Sequence, residues 1–141
     1  MLRWPTSILM TLILANAAVG ASAYTVDGVG AKGFSTIQEA IDASEIGDEI
    51  VVKNGTYAEN LVVDRPIALR GEGMPVVSGE VSSFPLIIIN ASGVVLEGFV
   101  FAGCTNDSCD SGSVLVLSDG SKILNNTIYG SSSHGISLLN S

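Results

Sequence analysis

The segment Ala68-Leu69-Arg70-Gly71 returns as Val95-Leu96-Glu97-Gly98 and again as Lys122-Ile123-Leu124-Asn125, at an offset of 27 residues each time. The preceding runs keep step, with Asn60-Leu61-Val62 falling over Ile87-Ile88-Ile89 and Val114-Leu115-Val116. Further back, Ile50-Val51-Val52 meets Val76-Val77-Ser78 at an offset of 26. Self-similarity at a fixed period of this size, carried by brief apolar runs between Gly, Asn, Ser and Pro, marks a solenoid in which each repeat is one coil. Three short strands per repeat predict an all-β chain wound as a right-handed parallel β-helix. Each coil buries one side of each strand and is not stable alone. The count gives about three rungs. The last starts at Gly135-Ile136-Ser137-Leu138-Leu139 and stops in mid-rung at Ser141, so the C-terminus reads as incomplete. A coil end exposes unpaired backbone, which predicts end-to-end self-association.

Upstream of the repeats lies the one convincing helix. Tyr24-Thr25-Val26 leads into the glycine-rich turn Asp27-Gly28-Val29-Gly30-Ala31-Lys32-Gly33. Ser35 is placed to cap a short α-helix over about 36–44, with Gln38 three residues on as its capping-box partner. Ile37, Ala40 and Ile41 fall at i, i+3 and i+4 and make one apolar stripe. Residues 24–47 are therefore expected to form an N-terminal cap, and residues 48–141 the rungs.

The period also exposes an insertion. Nine residues separate Gly103 from Ser113, whereas four separate the equivalent Gly130 from Gly135. The extra five shorten the following offset, Val114 to Ile136, to 22 residues. The insertion holds Cys104 and Cys109, whose spacing predicts a small loop closed by a disulfide. One coil below Phe99 stands Asn126, where stacked side chains would form a ladder.

The chain has 141 residues, 47% of them apolar, and a formal charge of -8, enough for one domain and unsuited to a basic nucleic-acid binder. Arg3 supplies a positive start, Ile8 to Val19 is an almost unbroken apolar run, and Ala21-Ser22-Ala23 is an A-x-A cleavage site. Residues 1–23 thus read as a secretory signal peptide. The 12-residue run is shorter than the ~20 residues a membrane-crossing helix needs. The mature chain, residues 24–141, is expected to be secreted or held at the cell surface, or periplasmic in a host with that compartment, without a membrane segment. An exported chain meets an oxidising medium, as the cysteine pair requires.

With the coil and cap in view, a family resemblance emerges. Residues Gly33-Phe34-Ser35-Thr36-Ile37-Gln38-Glu39-Ala40-Ile41-Asp42, Gly47-Asp48-Glu49-Ile50-Val51-Val52-Lys53-Asn54-Gly55-Thr56-Tyr57-Ala58-Glu59-Asn60 and Ile67-Ala68-Leu69-Arg70-Gly71-Glu72-Gly73 resemble the N-terminal part of the pectin lyase-like superfamily of single-stranded β-helices. Pectinesterases and the secreted β-helix repeat proteins related to a periplasmic copper-site maturation factor are the most similar branches. Ser121-Lys122-Ile123-Leu124-Asn125-Asn126-Thr127-Ile128-Tyr129-Gly130 is more similar to the repeat proteins. Such motifs specify fold better than activity. Where pectinesterases carry a glutamine-led Q-A-V-A-L, this chain has Ser113-Val114-Leu115-Val116-Leu117, and Ser131-Ser132-Ser133-His134 replaces their Q-D-T. Neither the oxyanion glutamine nor the catalytic aspartate carries over, so no catalytic residue is assigned.

Other chemistry is sparse. Asn106, Asp107 and Asp110, with Asp119, offer oxygens to a calcium ion, but the spacing matches no calcium loop, and a solvated acidic loop is the plainer reading. His134 beside a turn, Met74 and the two cysteines are few soft ligands for copper. Glu39, Asp42, Glu45, Asp48 and Glu49 gather around the cap helix as a solvated face. Tyr57, Phe84, Phe99, Phe101 and Tyr129 fall mostly at strand positions, where packing explains them before sugar stacking does. Sequons at Asn54, Asn90, Asn106 and Asn125 are candidate N-glycosylation acceptors. These features predict a non-catalytic secreted or cell-surface β-helix domain that is structural or binds polysaccharide or another cell-envelope component. The alternatives are the N-terminal part of a carbohydrate-active enzyme and, more weakly, a copper-handling periplasmic protein.

Overall fold

The computed structural model describes residues 20–31, 33–79, 85–103, 113–130 and 134–139. Most of the expected export signal, and the expected disulfide loop of Cys104 and Cys109 with Asn106, Asp107 and Asp110, lie outside the described residues.

β1 (Ala23–Val26) precedes α1 (Ile37–Ala43), after which the chain coils. The first coil is β2 (Glu49–Val52), β3 (Thr56–Tyr57) and β4 (Leu61–Val63). The second is β5 (Ala68–Gly71), β6 (Val76–Val77) and β7 (Ile87–Ile89). The third is β8 (Val95–Glu97), β9 (Val100–Ala102) and β10 (Val114–Val116), and the fourth is β11 (Lys122–Leu124), β12 (Thr127–Tyr129) and β13 (Ile136–Leu138). Like strands stack in parallel into sheet A (β1-β2-β5-β8-β11), sheet B (β3-β6-β9-β12) and sheet C (β4-β7-β10-β13). The topology fits a right-handed parallel β-helix of about four turns.

One side of every strand points inward. In sheet A the inner column is Ile50, Leu69 and Leu96, all fully buried, ending in half-buried Ile123. Tyr57, Val77, Phe101 and Ile128 form the inner column of sheet B. Sheet C contributes Leu61, Ile87 and Val114 in one column and Val63, Ile89 and Val116 in the next. Each such aliphatic side chain is worth roughly 1.5–3 kcal/mol on burial, so it is stacking that stabilises coils whose strands are two to four residues long. Phe99 and Phe101 fill the third coil, with ring centroids 5.8 Å apart.

The 27-residue register holds for Ala68↔Val95, Val95↔Lys122 and Ile87↔Val114, and the offset of 22 holds for Val114↔Ile136. Gly103 donates its N–H to the Tyr129 carbonyl and Ser113 donates to that of His134, so the insertion leaves and rejoins the coil where the spacing placed it.

Several expectations need correction. Ile50-Val51-Val52 pairs with Leu69-Arg70-Gly71, and Val76-Val77 pairs with Thr56-Tyr57, so the supposed offset of 26 between Ile50 and Val76 joins strands of different sheets. The first coil is about 20 residues long. Measured against a longer period it merges with its neighbour, which is why about three rungs were expected and about four are found. Leu61, not Asn60, stands over Ile87. This puts Leu61 and Val63 in the core, leaves Val62 outside, and frees the Asn60 amide to donate to the Pro85 carbonyl. Tyr24-Thr25-Val26 forms part of β1, the outermost strand of sheet A at the N-terminal end of the coil.

The cap helix buries Ile37, Ala40 and Ile41 as its stripe predicts. Its N-cap, however, is Thr36, whose hydroxyl accepts from the Glu39 N–H, and Ser35 instead donates to the Glu39 carboxylate. One residue's shift moves the box partner from Gln38 to Glu39. Gln38 has another role: it donates to the Val62 carbonyl and accepts from the Val62 N–H, pairing the outer edge of β4 as a strand would. The Glu59 carboxylate accepts from the Ile37 and Gln38 N–H groups, satisfying two of the helix's orphan donors.

Candidate functional site

The outward face of sheet A carries the richest polar constellation among the described residues. Its register aligns Thr25, Val51, Arg70, Glu97 and Leu124 in one column and Ala23, Glu49, Ala68, Val95 and Lys122 in another. Arg70 Nε donates to Glu49 Oε1 at 2.6 Å, and its Nη1 reaches Glu97 Oε2. Glu97 Oε1 in turn accepts from Asn125 Nδ2 at 3.2 Å. The ladder Glu49–Arg70–Glu97–Asn125 therefore crosses all four coils along the axis. At the same edge Lys53 pairs with Glu72. Arg70 is shared between the two carboxylates, so the ladder keeps a net negative charge and presents hydrogen-bonding groups in a row.

The corner between sheets A and B explains this geometry. Gly71, Gly98 and Asn125 stack there, with Gly98 at φ +80° and Asn125 at φ +52°, in the left-handed region that Gly enters freely and Asn tolerates. A Cβ on Gly98 would lie 2.7 Å from the Gly71 carbonyl oxygen. Asn126 then turns inward: its Oδ1 accepts from the Phe99 N–H and its Nδ2 donates to the Leu96 carbonyl, each at 2.9 Å.

Around the cap, Asp48 is buried and accepts from the Ser22 and Glu45 N–H groups at 2.7 Å each. The Glu45 N–H first, then that of Ser22, holds its carboxyl below the usual range. Glu39 is likewise lowered by the Thr36 and Ser35 hydroxyls, and Asp64 by its bond to Arg65. Burial first, then Asp27 and Glu59, raises the Tyr57 phenol, which donates to the Lys53 carbonyl. Part of the expected acidic patch is thus built into caps and turns. A hollow of about 620 Å³ opens beside the helix between Val29, Phe34, Glu39 and Asp42.

Sequon residues Asn54, Asn90 and Asn125 are all exposed at coil corners. His134 is exposed and contributes only its carbonyl to sheet C. Asp119 lies in a turn lining a hollow of about 240 Å³ at the C-terminal end of the coil, away from the sheet A ladder. Among the described residues no three His, Cys, Asp or Glu side chains converge as a metal site needs. Of the aromatics, Tyr57, Phe99 and Phe101 are core, Tyr129 is half exposed on sheet B, and Phe84 lies outside the described residues. The ladder itself was missed in the sequence, although Arg70 and Glu97 occupy the same place in the repeat; Glu49 joins them only through the register of the short first coil.

No family model matches the chain. It is 29% identical over 130 residues to a cell surface glycoprotein of Methanothermus fervidus. The similarity covers 91% of this chain and 21% of the relative, so the chain spans about a fifth of that protein's length. Among the described residues no helix is long and apolar enough to cross a membrane. The chain is a parallel β-helix with a short helix at its N-terminal end, similar along nearly its whole length to part of a protein named for the cell surface.

Proposed function

We propose that this chain is a non-catalytic cell-surface β-helix module of the pectin lyase-like type, which serves structurally and holds a polysaccharide or other cell-envelope component along the outward face of sheet A. The observation that carries the reading is the axial ladder Glu49–Arg70–Glu97–Asn125, in which one guanidinium is shared by two carboxylates and polar atoms are set in a row at coil spacing. The likeness to a cell surface glycoprotein over 91% of the chain supports the location. The A-x-A site and apolar run at residues 8–23 support export.

Two measurements test this. Fractionation and surface labelling of cells producing the full chain should recover it at the surface or in the medium. Purified protein on an array of acidic and neutral polysaccharides should bind at least one class, and Arg70→Ala should weaken that binding. Silence across the array removes the ligand, and an intracellular chain removes the location.

A further inference from the structure

We infer that Asn54, Asn90 and Asn125 are acceptors for N-linked glycans, and that these glycans border both long edges of sheet A. The inference deepens the surface reading and rests on it. Each asparagine opens an N-x-S/T sequon: Asn54-Gly55-Thr56, Asn90-Ala91-Ser92 and Asn125-Asn126-Thr127. A sequon alone is a weak signal, and the coil supplies what it lacks. All three asparagines are exposed, and so are the hydroxyl residues Thr56, Ser92 and Thr127 two positions on. Two other asparagines hold the backbone of the coil. Asn126 bonds the Phe99 and Leu96 backbone and Asn60 donates to Pro85, and neither begins a sequon. Asn125 donates one N–H to Glu97, and a substituted amide nitrogen still keeps one hydrogen.

The positions are ordered by the coil. Asn54 follows β2 and Asn125 follows β11, so both lie on the corner leading from sheet A to sheet B. They are three coils apart, about 14 Å at the ordinary strand spacing. Asn90 lies between β7 and β8, on the opposite edge of sheet A. Glycans at these points frame the face that carries the ladder.

The modification forms a bond from Asn Nδ2 to the anomeric carbon of an oligosaccharide carried on a polyisoprenyl phosphate or diphosphate. The anomeric C–O bond of that donor breaks, and the phosphorylated polyprenol leaves with the oxygen and takes up the amide proton. No oxidant or reductant is involved. The donor and its transferase belong to the exporting host.

The test uses the full chain exported by a host that N-glycosylates, read by intact mass and by glycopeptide mapping. Asn54→Gln and Asn90→Gln should each remove the mass of one glycan. At Asn125 the left-handed backbone disfavours glutamine, so Thr127→Ala is the variant, and it should remove a third. Thr56→Ala and Ser92→Ala leave their asparagines in place and should repeat the first two losses. A surface or secreted chain with its bare polypeptide mass overturns the glycan inference and leaves the surface reading standing, as does a mass insensitive to all three sites. A chain that remains inside the cell overturns the surface reading and this inference together.

Discussion

Asn126 lies one coil below Phe99 and takes the place of a backbone partner for it, its Oδ1 accepting the Phe99 N–H while its Nδ2 donates to the Leu96 carbonyl. The corner between sheets A and B cannot continue the ladder there, because Gly98 turns the chain at φ +80°. Replacing Asn126 by Ala leaves two backbone groups at a half-buried corner without these partners, a loss of about 1–3 kcal/mol. Asp at the same position keeps an acceptor for Phe99 but sets a carboxylate oxygen against the Leu96 carbonyl, so it should not restore stability. Urea unfolding of wild type, Asn126→Ala and Asn126→Asp checks both statements, and an unchanged midpoint for Ala would refute the first.

Much of this was legible in the sequence, and the parts that were not have physical reasons. The cap helix stripe at Ile37, Ala40 and Ile41 was readable because only a helix brings those three together. The coils from β5 onward repeat often enough to fix most of their register. The register of sheet C slipped by one residue because Ile87-Ile88-Ile89 has no polar residue to mark which side faces out. The first coil was hidden by its shortness, β3 being two residues long. The Gln38 and Glu59 contacts join residues more than 20 apart through a fold that had first to be known.

Asp48 sets an acid limit. Its folded-state carboxyl lies below the usual range, mainly through the Glu45 N–H and next through that of Ser22. A depressed carboxyl stabilises the fold above its unfolded pKa, and this contribution is lost as pH falls through the folded value. Asp48→Asn should therefore be less stable than wild type near neutral pH, with the difference shrinking once pH drops below the usual carboxylate range. A chain that begins at Tyr24 lacks the Ser22 donor but keeps that of Glu45, so it should show the same trend with smaller amplitude. Thermal melts across pH measure it, and a gap that widens on acidification would contradict the assignment.

Arg70 binds two carboxylates that would otherwise face each other across sheet A. The three side chains are partly exposed, so each pair should contribute no more than about 1 kcal/mol. Arg70→Met should lower stability by about that amount at low salt, and less as added salt screens the Glu49–Glu97 repulsion. Restoring balance with Glu97→Gln in the same chain should recover part of the loss. A double-mutant cycle with no coupling would show that the ladder is not energetically connected.

Gln38 closes an edge. By pairing its amide with both backbone groups of Val62, it shields the outermost strand of sheet C from other chains. Gln38→Leu keeps the side chain's bulk and helix propensity but removes both hydrogen bonds. The expected result is a modest fall in stability, about 1–2 kcal/mol for two exposed bonds, with a clear rise in aggregation on mild heating. Light scattering during a thermal ramp reads the second effect, and equal aggregation onsets would argue that the helix body alone protects the edge.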